Sequence, residues 1–497
     1  MPQGWPPHPT VYEINTWVWL NALSRATAGR IGLADAPDDE LRHLADLGFD
    51  AVWLMGVWER SVGAREVART LPGLRDEYAR ALPDYTVDDI VGSPYAVAQY
   101  RVDPALGGDE GLATLRRRLA RLGLRLILDF VPNHLAIDHP WIASAPDRLL
   151  QGDQGAMASV PQNWFLRDVG GGPRIFAHGR DPYFDGWSDT VQLDYRRADT
   201  RRAMRDTLTA IAERADGARC DMAMLAVHDV FLRTWGGAFD APGVEFWREA
   251  IAHVKQRHPD FLTMAEVYWD LEWALQGQGF DYTYDKTLYD RLVHGDAAGV
   301  RAHLGGDPAF QHRLVRFVEN HDEPRAMAAL GPARAGAAAV VALALPGLRL
   351  VHEGQMEGWR LKLPVQLGRR HAEATEAGVP ELYRRLVGAL RNPVFHEGAW
   401  RLLEPREAWP GNPSHDGFVL CQWSLDGVAR LVAANLHPTP GQCFVPLELP
   451  NLGEGRWRFR DVLGTADHVR DGADLGARGL YLDVPAHGFH LFAVEPA

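Results

Sequence analysis

Cysteine is scarce in this sequence, with three residues in a chain of 497. So few thiols argue against a disulfide framework. Long apolar runs are also missing, because the longest candidate, Ala335 to Leu345, falls short of the roughly 18 residues that a membrane-spanning helix needs. The first residues lack the basic region and the apolar core of a signal peptide. Together these absences predict a cytoplasmic protein.

Positive charge is in deficit, since 52 lysines and arginines against 65 aspartates and glutamates give a net charge of -13 at pH 7. This balance argues against nucleic acid or an anionic membrane as the main partner. Tryptophan and tyrosine are abundant by contrast, with 17 and 13 residues. Flat aromatic rings stack on sugars as well as filling cores, so their number slightly favours a carbohydrate ligand.

Strand patterns alternate with helix patterns through most of the chain. Apolar runs without alternation suit strands that are buried on both faces, as in a parallel sheet covered by helices. Eight β-then-α units predict closure into a (β/α)8 barrel. The strands are predicted at Val11–Val18, Ala51–Met55, Leu124–Val131, Ala218–Asp221, Phe261–Glu266, Phe280–Tyr284, Arg313–Val318 and Leu348–His352. The helices are predicted at Asp38–Leu47, Glu110–Leu122, Thr200–Ala215, Val244–Gln256, Ala333–Leu345 and Glu381–Arg391.

Two segments depart from this alternation. Residues 135–196 are rich in Gly, Asp, Pro and aromatics, and they are too long for a plain loop, so a small inserted domain is predicted after the third strand. From residue 392 onwards, short strands separated by turn residues predict an antiparallel β-sandwich. The predicted domains are therefore the barrel at 1–134 and 197–391, the insert at 135–196 and the sandwich at 392–497.

Acidic side chains stand at the ends of three predicted strands. Arg219 and Asp221 lie two residues apart on the fourth strand, so their side chains point the same way. Glu266 ends the fifth strand and Asp322 follows the seventh. Active sites of (β/α)8 barrels lie at the C-terminal ends of the strands, so these acids should meet. The guanidinium should lower the pKa of Asp221 and keep it ionised as a nucleophile, although a structural ion pair is the alternative.

Polar residues also stand at the ends of the third and seventh predicted strands. The third strand runs into Asp129-Phe130-Val131-Pro132-Asn133-His134, and the seventh ends in Asn320-His321-Asp322. With the ends of the fourth and fifth strands, they resemble the four signature regions of the α-amylase family of retaining glycoside hydrolases, in the family's order. The insert is similar to the family's domain B, and the C-terminal part to its domain C.

The resemblance implies that Asp221 is the nucleophile, Glu266 the acid/base and Asp322 the transition-state stabiliser. Cleavage of an acetal needs a proton on the leaving oxygen and stabilisation of an oxocarbenium-like carbon. Glu266 suits the first task, because a neighbouring carboxylate helps an acid to keep its proton. Asp322 would hold sugar hydroxyls and favour the distorted ring, while His134 and His321 would donate hydrogen bonds to hydroxyls.

Other predicted substrate contacts are Arg219, Asp129 and Tyr95. Tyr95, in Ser93-Pro94-Tyr95, resembles the aromatic residue that stacks under the sugar at the cleavage point, and the alternative is an ordinary loop tyrosine. Glu266 has the alternative of a structural charge paired with Arg219. The alternatives for the two histidines are a loop cap for His134 and packing behind the site for His321.

Two positions depart from the family's pattern. After the nucleophile the family usually carries a lysine or histidine and then a histidine, which contact the leaving group, whereas Met224 and Leu225 stand here. The departure leaves substrate length open and weakens the case for the family's calcium site near Asn133. His352 to Glu357 does not match the His-Glu-x-x-His spacing of a zinc site. No metal or other cofactor is therefore predicted.

The sequence thus predicts a retaining α-glucosidase or α-amylase-type hydrolase that acts on α-linked gluco-oligosaccharides or glucans. An α-glucan transglycosylase with the same catalytic residues is the competing enzyme. A non-catalytic glycan-binding relative is the alternative from another class, and the presence of all three carboxylates disfavours it.

Overall fold

Eight parallel strands close a barrel in the computed structural model of the chain, which describes residue 2, residues 4–240 and residues 243–497. The first strand lies between the second and the eighth, with Val11 opposite Ala51 on one side and Leu350 on the other. The predicted (β/α)8 barrel is confirmed. Its strands, β1 to β8, are Thr10–Asn15, Ala51–Met55, Arg125–Phe130, Gly217–Cys220, Leu262–Ala265, Tyr282–Tyr284, Leu314–Arg316 and Leu348–His352.

Strand β1 is shorter than its apolar pattern predicts. The predicted strand Val11–Val18 includes three residues that begin the helix Thr16–Thr27. Asn15 ends the strand, and its side-chain oxygen accepts a hydrogen bond from the Val18 amide at 3.4 Å. An asparagine N-cap of this kind starts a helix even where β-branched residues follow.

Helices form a layer around the barrel. Asp38–Leu47 has its predicted bounds, and its apolar face packs inward at Leu41 and Leu44. The helices that have no counterpart among the predicted ones include two in residues 56–108 and two after β6, which are Val62–Thr70, Pro72–Ala81, Lys286–His294 and Ala297–Leu304. The other helices of seven or more residues in this layer are Gly108–Arg121, Ala198–Ala212, His228–Trp235, Phe246–Arg257, Glu272–Gln278, Gly331–Leu343 and Val379–Leu390. In the part of the chain that the structure describes, no helix is long and apolar enough to cross a membrane.

The segment after β3 contains two small antiparallel sheets. His134–Ala136 pairs with Thr190–Gln192, so the insert leaves and rejoins the barrel side by side. A three-stranded sheet of Gln151–Gly152, Pro173–Ala177 and Trp164–Asp168 lies between them. This pairing fixes His134 at the mouth of the barrel.

The C-terminal part is a β-sandwich, as predicted. Phe418 and Phe492 of the larger sheet share a core with Val445 and Val484 of the smaller one. The indole N–H of Trp423 donates to the carbonyl of Ala344 at 2.8 Å, which joins the sandwich to a barrel helix. The larger sheet has the order Ala399–Leu403, Phe418–Leu425, Val428–Asn435, Phe489–Pro496, Arg456–Asp461 and Asp467–Asp471, and the smaller one has Arg406–Glu407, Gly441–Val445 and Leu480–Val484.

Candidate active site

The three acidic residues predicted at strand ends line one cavity of about 320 Å³ at the C-terminal end of the barrel. Backbone hydrogen bonds extend the strands by one residue, since Asp221 donates to Phe130 at 2.8 Å and Glu266 donates to Cys220 at 3.0 Å. Asp322 follows a turn in which the Asn320 side chain accepts from its amide at 2.9 Å. The backbone hydrogen bonds between the strands and the turn at Asn320 therefore direct the side chains of Asp221, Glu266 and Asp322 into the same cavity.

Arg219 lies beneath these acids and contacts all three. Its side chain is fully buried, with Nη1 at 2.8 Å from Asp221 and Nη2 at 2.8 Å from Glu266. The same Nη2 is 3.6 Å from Asp322. Glu266 and other neighbours more than offset the effect of burial and raise the pKa of Arg219 well above its ordinary value. In this structure Arg219 is a buried cation that holds the acids, and its contact with substrate stays a prediction.

The pKa of Asp221 moves in the direction opposite to the one expected. Burial, and then the negative charge of Glu266, raise it to about 8 against the attraction of Arg219. One guanidinium is shared among three carboxylates, so it cannot compensate Asp221 alone. Arg219 does lower this pKa, as expected, but burial and Glu266 outweigh it, and the sequence does not reveal that sharing.

Glu266 accepts hydrogen bonds from two groups besides Arg219. The Met222 amide donates to Oε2 at 2.7 Å and the Tyr268 hydroxyl donates to Oε1 at 2.8 Å. Met222 has φ 41°, a left-handed conformation that turns its amide toward Glu266. This conformation is energetically unfavourable for residues other than glycine. Glu266 is thus ion-paired with Arg219 and also lines the cavity, so these two interpretations of the residue do not exclude each other. Sequence reasoning missed Met222 and Tyr268, although Tyr268 stands two residues after Glu266.

Asp322 is the most open of the three acids, with 42% of its side chain exposed against 8% and 4% for the others. Its Oδ2 lies 2.9 Å from Nε2 of His321. Burial opposes ionisation, but the charge and hydrogen bond of His321, helped by Arg219, hold the pKa of Asp322 well below its usual range. Asp322 is therefore ionised at neutral pH.

His321 has both ring nitrogens engaged within the protein. Nδ1 is 2.5 Å from the carboxylate of Glu13, and Nε2 is 2.6 Å from the hydroxyl of Tyr95 as well as close to Asp322. Both nitrogens therefore have partners within the protein, and the contact of His321 with a sugar hydroxyl stays a prediction. Tyr95 lines the cavity, with its ring stacked on that of His321 at 5.4 Å.

The insert supplies one wall of the cavity. His134, which the sequence singled out, lines it beside Trp187, with ring centroids 5.1 Å apart. Burial lowers the pKa of His134 to about 4, so its imidazole is neutral. Asp189 also lines the cavity, and burial raises its pKa to about 6. Trp187 and Asp189 were missed, because the sequence of the insert shows no periodic pattern that would orient them.

Asp129 lies under the cavity rather than on its surface. Its carboxylate accepts from the Trp53 indole at 3.1 Å and from the Gly56 amide at 2.9 Å. Only 1% of the residue is exposed, and burial raises the pKa of Asp129 to about 6. The residue fixes the ends of β2 and β3 in this structure, and its contact with substrate stays a prediction.

An exposed aromatic pair stands at the rim, next to Tyr268. The rings of Tyr183 and Trp269 are 5.0 Å apart, and the residues are 60% and 36% exposed. Met224 and Leu225, which replace the family's polar pair, are instead buried at 0% and 2% exposure. Neither of these two residues lines the cavity, whereas the rings of the aromatic pair are exposed to solvent.

The residues near Asn133 do not fit the family's calcium ion. The side-chain amide of Gln192 donates to both the carbonyl and the side-chain oxygen of Asn133, at 2.8 and 3.0 Å. The oxygens that calcium would need are therefore already bound by an amide. Among the described residues, no group of three or more His, Cys, Asp or Glu side chains is placed to hold a metal ion.

Known proteins share both sequence and fold with this chain. The model of the alpha amylase catalytic domain matches residues 25–278, just over half of the 497 residues. The alpha-amylase MalA of Haloarcula japonica is 26% identical over 442 residues, covering 87% of this chain and 57% of the relative. The alpha-1,4-glucan:maltose-1-phosphate maltosyltransferase of Burkholderia pseudomallei is 24% identical over 449 residues, covering 82% and 34%.

The chain therefore spans between about one third and three fifths of the length of these curated relatives. The crystal structure of the maltogenic alpha-amylase AmyB from Thermotoga neapolitana superposes with a TM-score of 0.69 at 17% identity, over 99% of each chain, which shows the same fold. With the family model matched over the part of the barrel that carries Asp221 and Glu266, the chain belongs to the α-amylase family.

Proposed function

We propose that the protein is a retaining glycoside hydrolase that cleaves α-glucosidic bonds in gluco-oligosaccharides or α-glucans. The observation that carries this proposal is the convergence of Asp221, Glu266 and Asp322 on one cavity. A single guanidinium contacts all three. Asp221 and Glu266 each lie 2.8 Å from that guanidinium, and such close carboxyl groups suit a covalent glycosyl-enzyme better than a water-mediated inversion.

The proposed roles follow from the protonation of the site. Asp322 is ionised, whereas Asp221, with its pKa raised to about 8, keeps a proton at neutral pH in the free enzyme. Interacting acids share their protons, so Asp221 can pass this one to a neighbouring acid. When a sugar places its glycosidic oxygen beside Glu266, the proton passes to Glu266 and leaves Asp221 ionised.

The chemical steps then balance. Glu266 protonates the glycosidic oxygen as the bond from that oxygen to C1 breaks, and Asp221 attacks C1 to form the covalent intermediate. Water then attacks C1 while its proton passes to Glu266, and the bond between C1 and Asp221 breaks, which releases Asp221 as a carboxylate and leaves Glu266 protonated again. Asp322 stabilises the positive charge that develops on the sugar ring, while Tyr95 and His134 hold the sugar from either side.

A transglycosylase is the second candidate. The rim pair of Tyr183 and Trp269 favours it, because exposed aromatic rings beside the acid offer a platform for a second sugar. A maltosyltransferase is among the relatives. In that reaction a sugar hydroxyl takes the place of water in the second step.

Incubation with maltoheptaose, followed by mass analysis of the products, tests the proposal. Shorter sugars alone support hydrolysis, longer sugars support transfer, and an unchanged substrate counts against both. Product released with the α-anomeric configuration, read by proton NMR, supports retention. Glu266→Gln should abolish turnover while leaving the thermal unfolding unchanged within about 1 kcal/mol. Undiminished turnover in that variant would remove the acid/base role.

We also propose the domain division 1–134 with 197–391, 135–196, and 392–497, with the insert acting as the family's domain B. The pairing of His134–Ala136 with Thr190–Gln192 supports the bounds of the insert. A cytoplasmic location is proposed as well, supported by three cysteines that are all buried as free thiols.

A further inference from the structure

A buried glutamate lies inside the barrel without a place in the chemical steps. Glu13 stands in the middle of β1, opposite Trp53 of β2 and His352 of β8. Its side chain has no exposed surface, and Oε2 has no hydrogen-bond partner. A buried carboxylate is costly unless it is paired, so the position of its one partner matters.

That partner is His321, which links Glu13 to the active site. Nδ1 of His321 is 2.5 Å from Oε1 of Glu13, and Nε2 is 2.9 Å from Oδ2 of Asp322. An imidazole that faces a carboxylate at each nitrogen can donate to both only when both nitrogens carry protons. The Tyr95 hydroxyl, 2.6 Å from Nε2, can accept part of the second hydrogen bond.

The neighbouring ionisable groups do not provide the contacts that His321 makes with Glu13 and Asp322. His352 accepts from Arg325 at 2.8 Å through its Nδ1, and burial lowers the pKa of His352 well below its ordinary value, so it is neutral. Arg219 is 3.6 Å from Asp322, but it is shared with the other two acids. Lys362 contacts the backbone carbonyl of Asp322. Tyr284 and Trp53 complete the surroundings with uncharged groups.

We propose that Glu13 is a positioning residue for the reaction: it holds His321 as an imidazolium, whose second N–H orients Asp322 and keeps it ionised. Glu13 touches neither substrate nor reacting atoms. It acts through the ring in the way that a buried carboxylate fixes the protonation and orientation of a catalytic histidine. The role in turnover rests on the proposed function, whereas the protonation of His321 does not.

The protonation of His321 can be tested directly. Burial works against the charge, but Asp322 and then Glu13 raise the pKa of His321 to about 10. Ordinary histidines, with pKa about 6.5, are neutral at about pH 8.5. Nitrogen-15 NMR of protein labelled at histidine should therefore show an imidazolium at that pH, and His321→Asn should remove it. Absence of a charged imidazole from the unaltered protein would overturn the proposal without any variant.

Substitution of Glu13 is the second part of the test. Glu13→Gln keeps an acceptor beside Nδ1 but removes the charge, so the imidazolium should be lost at about pH 8.5, and kcat/KM should fall about ten- to a hundredfold. Glu13→Asp keeps the charge and should retain the imidazolium. A charged His321 that persists in Glu13→Gln would refute the role of Glu13.

A matched control separates this role from a loss of stability. Glu272→Gln makes the same change at a residue that is 7% exposed, on the helix Glu272–Gln278 outside the cavity. It should leave both the imidazolium signal and kcat/KM unaltered. Should no α-glucan be turned over at all, the proposed function fails, but the NMR result still decides whether Glu13 holds the proton.

Discussion

Replacement of Asp221 by asparagine should stabilise the fold while removing activity. The carboxyl group is buried, and its pKa is raised from 3.8 to about 8. Between these two values the folded protein binds more protons at this site than the unfolded chain does. Stability therefore falls as the pH rises through this window. The contribution is fully present below pH 3.8 and is lost by about pH 8. An amide has no such proton to lose.

The size of the effect follows from the same shift. One proton bound more tightly in the folded state changes stability by about 1.4 kcal/mol per pH unit. The advantage of Asp221→Asn over the unaltered protein should therefore grow by up to about 3 kcal/mol between about pH 5 and about pH 7. Relaxation of Glu266 and Asp322 after the charge is removed makes this value an upper bound. A loss of about 1 kcal/mol from the altered contact with Arg219 is independent of pH.

Calorimetric unfolding of both proteins across that pH range measures the difference. Asp88→Asn, at an exposed carboxylate, is the control and should show a difference that does not change with pH. A flat difference for Asp221→Asn as well would refute the raised pKa, and with it the assignment of a proton to Asp221. A variant that gains stability and also keeps full turnover would refute the nucleophile.

Two other substitutions test the rim and the floor of the cavity. Trp269→Ala should weaken binding of the second sugar by about 1 kcal/mol and so raise KM for maltoheptaose about fivefold. It should also lower any ratio of transfer to hydrolysis. Trp273→Ala, at a 55% exposed ring on a helix, is the control and should leave KM and this ratio unaltered. An unaltered KM for Trp269→Ala would exclude the rim pair from binding. Trp53→Phe removes a donor from buried Asp129 and should cost about 1–3 kcal/mol in urea unfolding, against less than about 0.5 kcal/mol for Trp409→Phe on the surface. Equal effects of these two would mean that Asp129 does not depend on the indole.

The barrel could be predicted from sequence because its strands are apolar on both faces. Ala51–Met55, for example, is buried at every position and was predicted with its observed bounds. Short helices were harder to predict. Lys286–His294 and Ala297–Leu304 are separated only by Gly295 and Asp296, and eight or nine residues carry too few turns for the helical period to stand out.

The site was predictable to the extent that its residues end strands. Asp221, Glu266 and Asp322 were found in this way, and the structure brings them to one cavity. Glu13 was missed, although a single acid within an apolar strand, in Val11-Tyr12-Glu13-Ile14, is a signal of a buried charge. Its partner His321 lies 308 residues away. No local pattern can reveal such a pair.

The proton balance of the site follows from counting its buried charges. Four carboxyl groups share two cations: the acids are Glu13, Asp221, Glu266 and Asp322, and the cations are Arg219 and His321. The four acids against two cations leave an excess of negative charge, and because uncompensated buried charge is costly, Asp221 keeps a proton at a pH where isolated carboxyl groups have lost theirs. That proton is the one a leaving group needs. The excess of acidic groups around Arg219 therefore prepares the site for catalysis at the expense of stability. Removing the charge of Asp221 should accordingly raise stability and remove activity.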